Sequence, residues 1–335
     1  MRTVLTTLVV LLAAAAAACA AEEGYRLLKT VPIEGDGGWD YVTVDDAARR
    51  VYVSHGTEVV VLDADSYDIK GKIGDQQGVH GIAVAPEVER GFISNGRANK
   101  VTIFELKTLK AVGSVETGKN PDCIIYDPAT QRVFAFNGRS NSVTAIDAKS
   151  GEVAGTLELG GQPEFAVADG TGAVFVNLED KDTIVKFDAK KLEVKERWPL
   201  APGKGPSGLA MDRKNRRLFS GCHNKTLVIM NAEDGKVVDT QPIGERIDAA
   251  AFDPETGRAF ASCGDGTVTV IHKDSPDKYK VVETVKTRLG SRTMGLDLKT
   301  HKLFLPGADF KPNPDNPNGR PMVVKGSFVV LVYGQ

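Results

Sequence analysis

The chain has 335 residues, 41% hydrophobic and 26% charged, with a formal net charge of −2. This is ample apolar material for a globular core. The charge balance, with no basic cluster, provides no electrostatic footprint for nucleic acid or an acidic membrane surface.

In chain order, residues 1–20 stand apart. Arg2 precedes the apolar stretch Val4 to Ala18, and "ACA" then places small residues where a signal peptidase cuts, so the expectation is a signal peptide removed near Ala20 or Ala21. The remainder, residues 21–335, is expected to form a single domain in the periplasm or outside the cell. Losing only Arg2 takes 42 basic residues to 41, against 44 acidic ones, a net of −3. Cys19 lies in "AAAC", which lacks the leucine of a lipoprotein box, so lipid anchoring there is not the expected fate. No second apolar stretch is long enough to span a bilayer.

Beyond the leader the chain repeats. "DPATQRVFAF" begins at Asp127 and its echo "DPETGRAFAS" at Asp253. Equivalent positions are Asp45, Ala85, Asp127, Asp169, Asp212, Asp253 and Asp297, separated by 40, 42, 42, 43, 41 and 44 residues. Each register holds a first apolar run, a turn, a second run ("VYVSH", "GFISN", "VFAFN", "AVFVN", "LFSGC", "AFASC", "LFLPG"), a polar loop and a third run such as "EVVVLDA" or "SVTAIDA". A turn of the "AKSGE" kind then leads to a fourth. Short Val-, Ile-, Thr- and Phe-rich segments bounded by Gly, Asp, Asn and Pro are strand signals, and no helical period survives in them. Four strands per fixed period, seven times over, predict an all-β, seven-bladed propeller of four-stranded blades.

The last register has only three runs, ending in "SFVVLVY". Residues 25–33, "YRLLKTVPI", form an unassigned apolar run ahead of the first register and are expected to close the seventh blade as its outer strand, removing an exposed sheet edge. The longest loop, residues 306–321, holds five prolines. It is expected to stay extended, either as a lid over the channel or as a linker. Cys123, Cys222 and Cys263 are an odd set and do not read as a disulfide framework.

The stretches "VYVSH…VVVLDA", "VFAFNGRSNSVTAIDAKSGEV", "AFASCGDGTVTVIHK" and the closing "KGSFVVLVYG" resemble the YVTN β-propeller repeats of YncE-like exported proteins, over about residues 25–335. The resemblance implies a seven-bladed, periplasmic or surface-exposed propeller. It assigns no chemistry, because the matching residues are strand cores and turns.

Five residues before each repeat anchor lies one residue per blade at the mouth of the channel: Asp40, His80, Asp122, Glu164, Ser207, Asp248 and Arg292. In one reading these form a polar channel mouth in which Arg292 neutralises Asp248 and Asp40. In the other, His80, Asp122 and Glu164 converge as ligands for a divalent metal cation, the one cofactor the sequence suggests. A second ring, about ten residues past each anchor, begins with His55, Asn95 and Asn137 and continues through Leu178, Cys222, Cys263 and Gly307; it is expected around the same mouth at larger radius. Trp39 is expected to pack between blades.

The sequence lacks G-x-S-x-G, H-E-x-x-H, C-x-x-C-H and any Gly-rich phosphate loop opening a helix. The expected function is therefore a non-enzymatic binding or scaffold protein, monomeric, that takes a small ligand or an envelope protein on the mouth face. The alternative is a lactonase-like, metal-assisted hydrolase or lyase with Asp248 as base.

Overall fold

Valine, isoleucine and phenylalanine supply the strands because branched and aromatic side chains fit a pleated surface, and here both sides of that surface must be covered. The computed structural model describes residues 24–35, 38–314 and 321–335. The expected leader, with Cys19, and the middle of the proline-rich loop lie outside them. The described chain forms seven four-stranded antiparallel sheets arranged in a ring, plus one short two-stranded hairpin. Blades 1 to 6 take consecutive strands, beginning with Val42–Asp45, Val79–Ala85, Pro121–Asp127, Pro163–Ala168, Pro206–Asp212 and Ile247–Asp253. Among the described residues, no helix is long and apolar enough to cross a membrane.

Blade 7 joins the two ends of the chain. Its inner strands are Gly295–Asp297, Lys302–Gly307 and Val329–Gly334, and its outer strand is Arg26–Pro32. Arg26 pairs with Gly334 and Pro32 with Val329 in an antiparallel register. The expected closure is therefore present.

Burial follows radius. Every second strand shows five buried residues in succession, whereas an outer strand such as Ala111–Glu116 is almost wholly exposed. The second strands also carry a recurrent large ring, namely Tyr52, Phe92, Phe134, Phe175, Phe219, Phe260 and Phe304, all with no exposed surface. The apolar core is accordingly divided into seven clusters, one in each seam between neighbouring blades.

The repeat anchors explain their own recurrence. Asp127 accepts hydrogen bonds from the Thr130 amide and hydroxyl, Asp253 from the Glu255 amide and Thr256 hydroxyl, and Asp297 from the Lys299 amide and Thr300 hydroxyl. Each carboxylate caps the turn after the first strand. Several also receive a cation from the next blade: Asp169 from Arg216 at 3.0 Å, Asp212 from Lys273 at 2.7 Å and Asp297 from Arg49 at 2.7 Å, while Asp253 lies 2.7 Å from the His301 ring nitrogen Nδ1. In blade 2, where Ala85 replaces the aspartate, the short 3₁₀ turn Pro86–Val88 makes the connection instead.

The proline-rich loop departs from the extended reading. Phe310–Lys311 pairs with Met322–Val323 as a small hairpin, because these proline-free flanks keep the amide donors that the segment between them is short of. Cys123, Cys222 and Cys263 are buried free thiols, and burial pushes Cys222 and Cys263 up to about 12.

Removal of residues 25–33 is expected to lower the melting temperature by roughly 10 °C or to cause aggregation. A truncated chain that melts like the intact one would remove that strand from any role in ring closure.

Candidate functional site: the acidic mouth of the channel

Each of the middle blades interrupts its first strand at the counted position. The register with the second strand slips between Val79 and Ile82, Pro121 and Ile124, Pro163 and Ala166, Pro206 and Leu209, and Ile247 and Ala249. These bulges contain His80, Asp122, Glu164, Ser207 and Asp248 and release their side chains from the alternation of the strand. Asp40 and Arg292 occupy the irregular chain just ahead of the first strands of blades 1 and 7. Second-strand side chains hold the neighbouring mouth segments: Ser94 donates to the Asp122 carbonyl at 2.5 Å, Asn177 to the Ser207 carbonyl at 2.8 Å and Ser262 to the Ser291 carbonyl at 3.2 Å.

Five of the mouth side chains, those of Asp248, Arg292, Asp40, His80 and Asp122, form one chain of contacts. Arg292 Nε donates to Asp248 Oδ2 at 2.8 Å, and its Nη2 lies 3.4 Å from Asp40 Oδ1. Asp40 Oδ2 lies 2.5 Å from His80 Nδ1, which is 3.6 Å from Asp122 Oδ2. Glu164 stands further round, where its Oε1 accepts from Gln162 Nε2 at 3.2 Å, and Gln162 also donates to Glu179 Oε2 at 3.0 Å. Ser207 Oγ donates to the Asp248 backbone carbonyl at 3.4 Å.

This crowding suppresses ionisation. Burial, then the Asp122 and Glu179 charges, pushes the Glu164 carboxyl up to about 9. Burial and the Asp40 charge push Asp122 up to about 7. Asp248 rises only to about 6, because burial and Asp40 are opposed by Arg292. For His80, burial works against the charged ring, but the Asp40 hydrogen bond and the Asp122 charge outweigh it and hold the imidazole above its ordinary value. At neutral pH the mouth therefore carries far less negative charge than its four carboxyl groups suggest, and part of its capacity for positive charge is occupied by protons.

The structure brings His80 and Asp122 together, as the metal reading expects, but the third ligand atom in reach comes from Asp40. One atom each of Asp40, His80 and Asp122 lie within 4.8 Å of one another. Among the described residues Glu164 is not part of that cluster. The second ring is placed differently from the first. Asn95 is buried and bonds Gln76, Thr102 and the Gln77 amide; Asn137 is buried and donates to Ser142 and Thr144. The His55 ring is buried and stacks flat on Phe328 at 4.2 Å, and burial lowers its proton affinity. These three hold turns and a seam. Trp39 packs between Phe328 and Phe310, at 5.3 and 6.0 Å.

Sequence reasoning missed what fills the channel axis. Tyr41 of blade 1 and Phe165 of blade 4, each next to a mouth residue, stack at 4.6 Å. Those blades are not neighbours, so the contact crosses the axis. The equivalent positions in other blades are Gly81, Cys123, Gly208, Ala249 and Thr293, and their small size makes the room. Two aromatic rings among five small residues was the available signal.

No family model matches the chain, and no curated protein sequence matches it. Solved structures do match. A chain in the crystal structure of the mitotic checkpoint complex is 13% identical, with a TM-score of 0.74, covering 90% of this chain and 95% of its own. U3-55K is 10% identical with a TM-score of 0.73, over 92% of this chain and 98% of its own. A chain of Kuenenia stuttgartiensis hydrazine synthase is 14% identical with a TM-score of 0.70, over 87% and 97%. At these identities the likeness shows the seven-bladed propeller fold alone.

Replacing Glu164 by glutamine tests the electrostatics. A carboxyl raised from 4.5 to about 9 contributes stability that is complete below pH 4.5 and is lost as pH rises through 9. Glutamine carries no such loss. Glu164→Gln should therefore melt close to the parent at pH 4.5 and roughly 3 °C or more above it at pH 9; equal melting temperatures at both pH values would contradict the burial of this acid.

Proposed function

We propose that the chain is an exported, YncE-like binding propeller that recognises a positively charged group, on a small ligand or a partner protein, at the acidic mouth of its channel. The observation that carries this reading is the pairing of acids raised to about 7 and 9, Asp122 and Glu164, with an aromatic floor formed by Tyr41 and Phe165. Burying acids beside one another is unfavourable without a cation, and an arriving cation would replace the protons they hold. The floor makes the mouth a cup, which suits capture rather than passage. The only hydroxyl of the ring, on Ser207, donates to a backbone carbonyl, an arrangement that favours binding over nucleophilic chemistry.

Arginine amide, a small cation without a carboxylate, serves as probe. Its affinity should rise between pH 6 and pH 9 as Asp122 and Glu164 ionise, and should fall roughly tenfold in Asp122→Asn. A pH-independent affinity, or one indifferent to Asp122, would sink the reading.

A second reading is favoured by one specific observation, the convergence of Asp40, His80 and Asp122 within 4.8 Å. Two carboxylates and an imidazole suit a divalent cation, which could support a metal-assisted hydrolase or lyase. Elemental analysis of the purified protein separates the two. Metal lost in Asp40→Asn yet kept in Glu164→Ala supports this second reading, and metal-free parent protein removes it.

A further inference from the structure

Beside the mouth, between blades 6 and 7, the surface opens into a pocket of about 480 Å³, within the range of small-molecule sites. Arg246, Arg292, Leu289 and Phe310 give it chemistry, and Gly264, Gly290 and Pro321 complete the lining. We propose that this pocket binds a small organic carboxylate with an aromatic or branched apolar body. The inference is independent of whether the ring beside it takes a cation.

Two guanidinium groups border the same space, and they differ in availability. Arg292 already serves Asp248 and Asp40. Arg246 is exposed, and its hydrogen bond is to the Gly264 carbonyl at 2.6 Å. It has no carboxylate partner among the described residues. A guanidinium has five N–H donors in a planar fork, so Arg246 retains donors for a carboxylate and can engage both of its oxygens. Arg292 lines the other side, with its charge shared between Asp248 and Asp40, so Arg246 is the group that holds the carboxylate.

The remaining wall is apolar and exposed. Leu289, in a turn, is 59% exposed and Phe310, in the hairpin, 37%, and a ligand body would remove both from water. The floor is kept bare by glycine. Gly290 has φ +84°, and a Cβ there would come within 2.6 Å of the Phe310 ring. Any other side chain would be strained and would fill the space under the aromatic wall. A charged clamp, an apolar wall and a bare floor together specify an acid with a compact apolar body.

The test titrates the full chain with N-acetyl-phenylalanine, with its neutral carboxamide and with phenylalanine amide, by calorimetry at low salt. The acid should bind saturably, its neutral carboxamide should bind roughly tenfold or more weakly, and Arg246→Gln and Phe310→Ala should each weaken the acid by a similar factor. Arg246 is exposed, so its variant keeps the test decisive if Phe310→Ala fails to fold. No saturable binding of the acid up to ~10 mM, equal binding of acid and carboxamide, or an Arg246→Gln variant with parental affinity would overturn the proposal. Phenylalanine amide reports on the mouth separately: if it binds and the acid does not, the cation reading survives and the pocket inference falls.

Discussion

A propeller blade cannot exist alone, because its second and third strands are apolar on both faces and only another blade can cover each face. Seven seams, each with its own apolar cluster, meet that requirement. The requirement also dictates closure, since a row of seven blades would leave two apolar faces in water. In the ring, the seam of blades 7 and 1 holds Val31 and Ile33 against Val42 and Val60, so residues from before the first repeat help to cover it. The anchor aspartates add a polar tie to the same seams. Cations from the following blade reach carboxylates that already cap turns, and both requirements are met by one buried group.

Much of this was legible in sequence because symmetry multiplies weak signals. A single "VFAF" could belong to many folds, whereas seven such runs at near-constant spacing, followed each time by a turn, leave few alternatives. The mouth ring was legible for the same reason: once an anchor is fixed, counting back five residues reaches the same place in each blade. Counting does not reveal where a side chain points. At the mouth the bulges turn His80, Asp122 and Glu164 off the strand, and the reach of each then depends on its neighbours. Asp40 therefore approaches His80 while Glu164 turns to Gln162. Ten residues past the anchor, Asn95 and Asn137 end regular strands and point into the blade fabric. The pocket of Arg246 and Phe310 was not legible from the repeat, since it combines the ring residue Arg292 with a hairpin that, among the described residues, occurs in blade 7 alone.

The mouth and the pocket share Arg292, and with it an electrostatic gradient. From Glu164 and Asp122, whose carboxyl groups are raised by burial and by neighbouring acids, the mouth passes through His80 and Asp40 to Arg292, bonded to Asp248, and on to Arg246. Neighbouring acids raise one another's proton affinity wherever no cation is at hand, which is why Asp248, bonded to Arg292, is displaced less than Glu164. The ordering is fixed by blade order, so it is a property of the fold as much as of the residues.

The pairing of Arg26–Pro32 with Val329–Gly334 joins segments about 300 positions apart. Each of the first six sheets is assembled from consecutive hairpins and depends on local encounters, but the last one has to wait for two distant stretches to meet across the largest loop in the molecule. That encounter is entropically the slowest step available to such a topology. Until it occurs, Val329–Gly334 presents an unpaired edge to solvent, and the nearly complete ring is most open to self-association at the moment it is closest to finished.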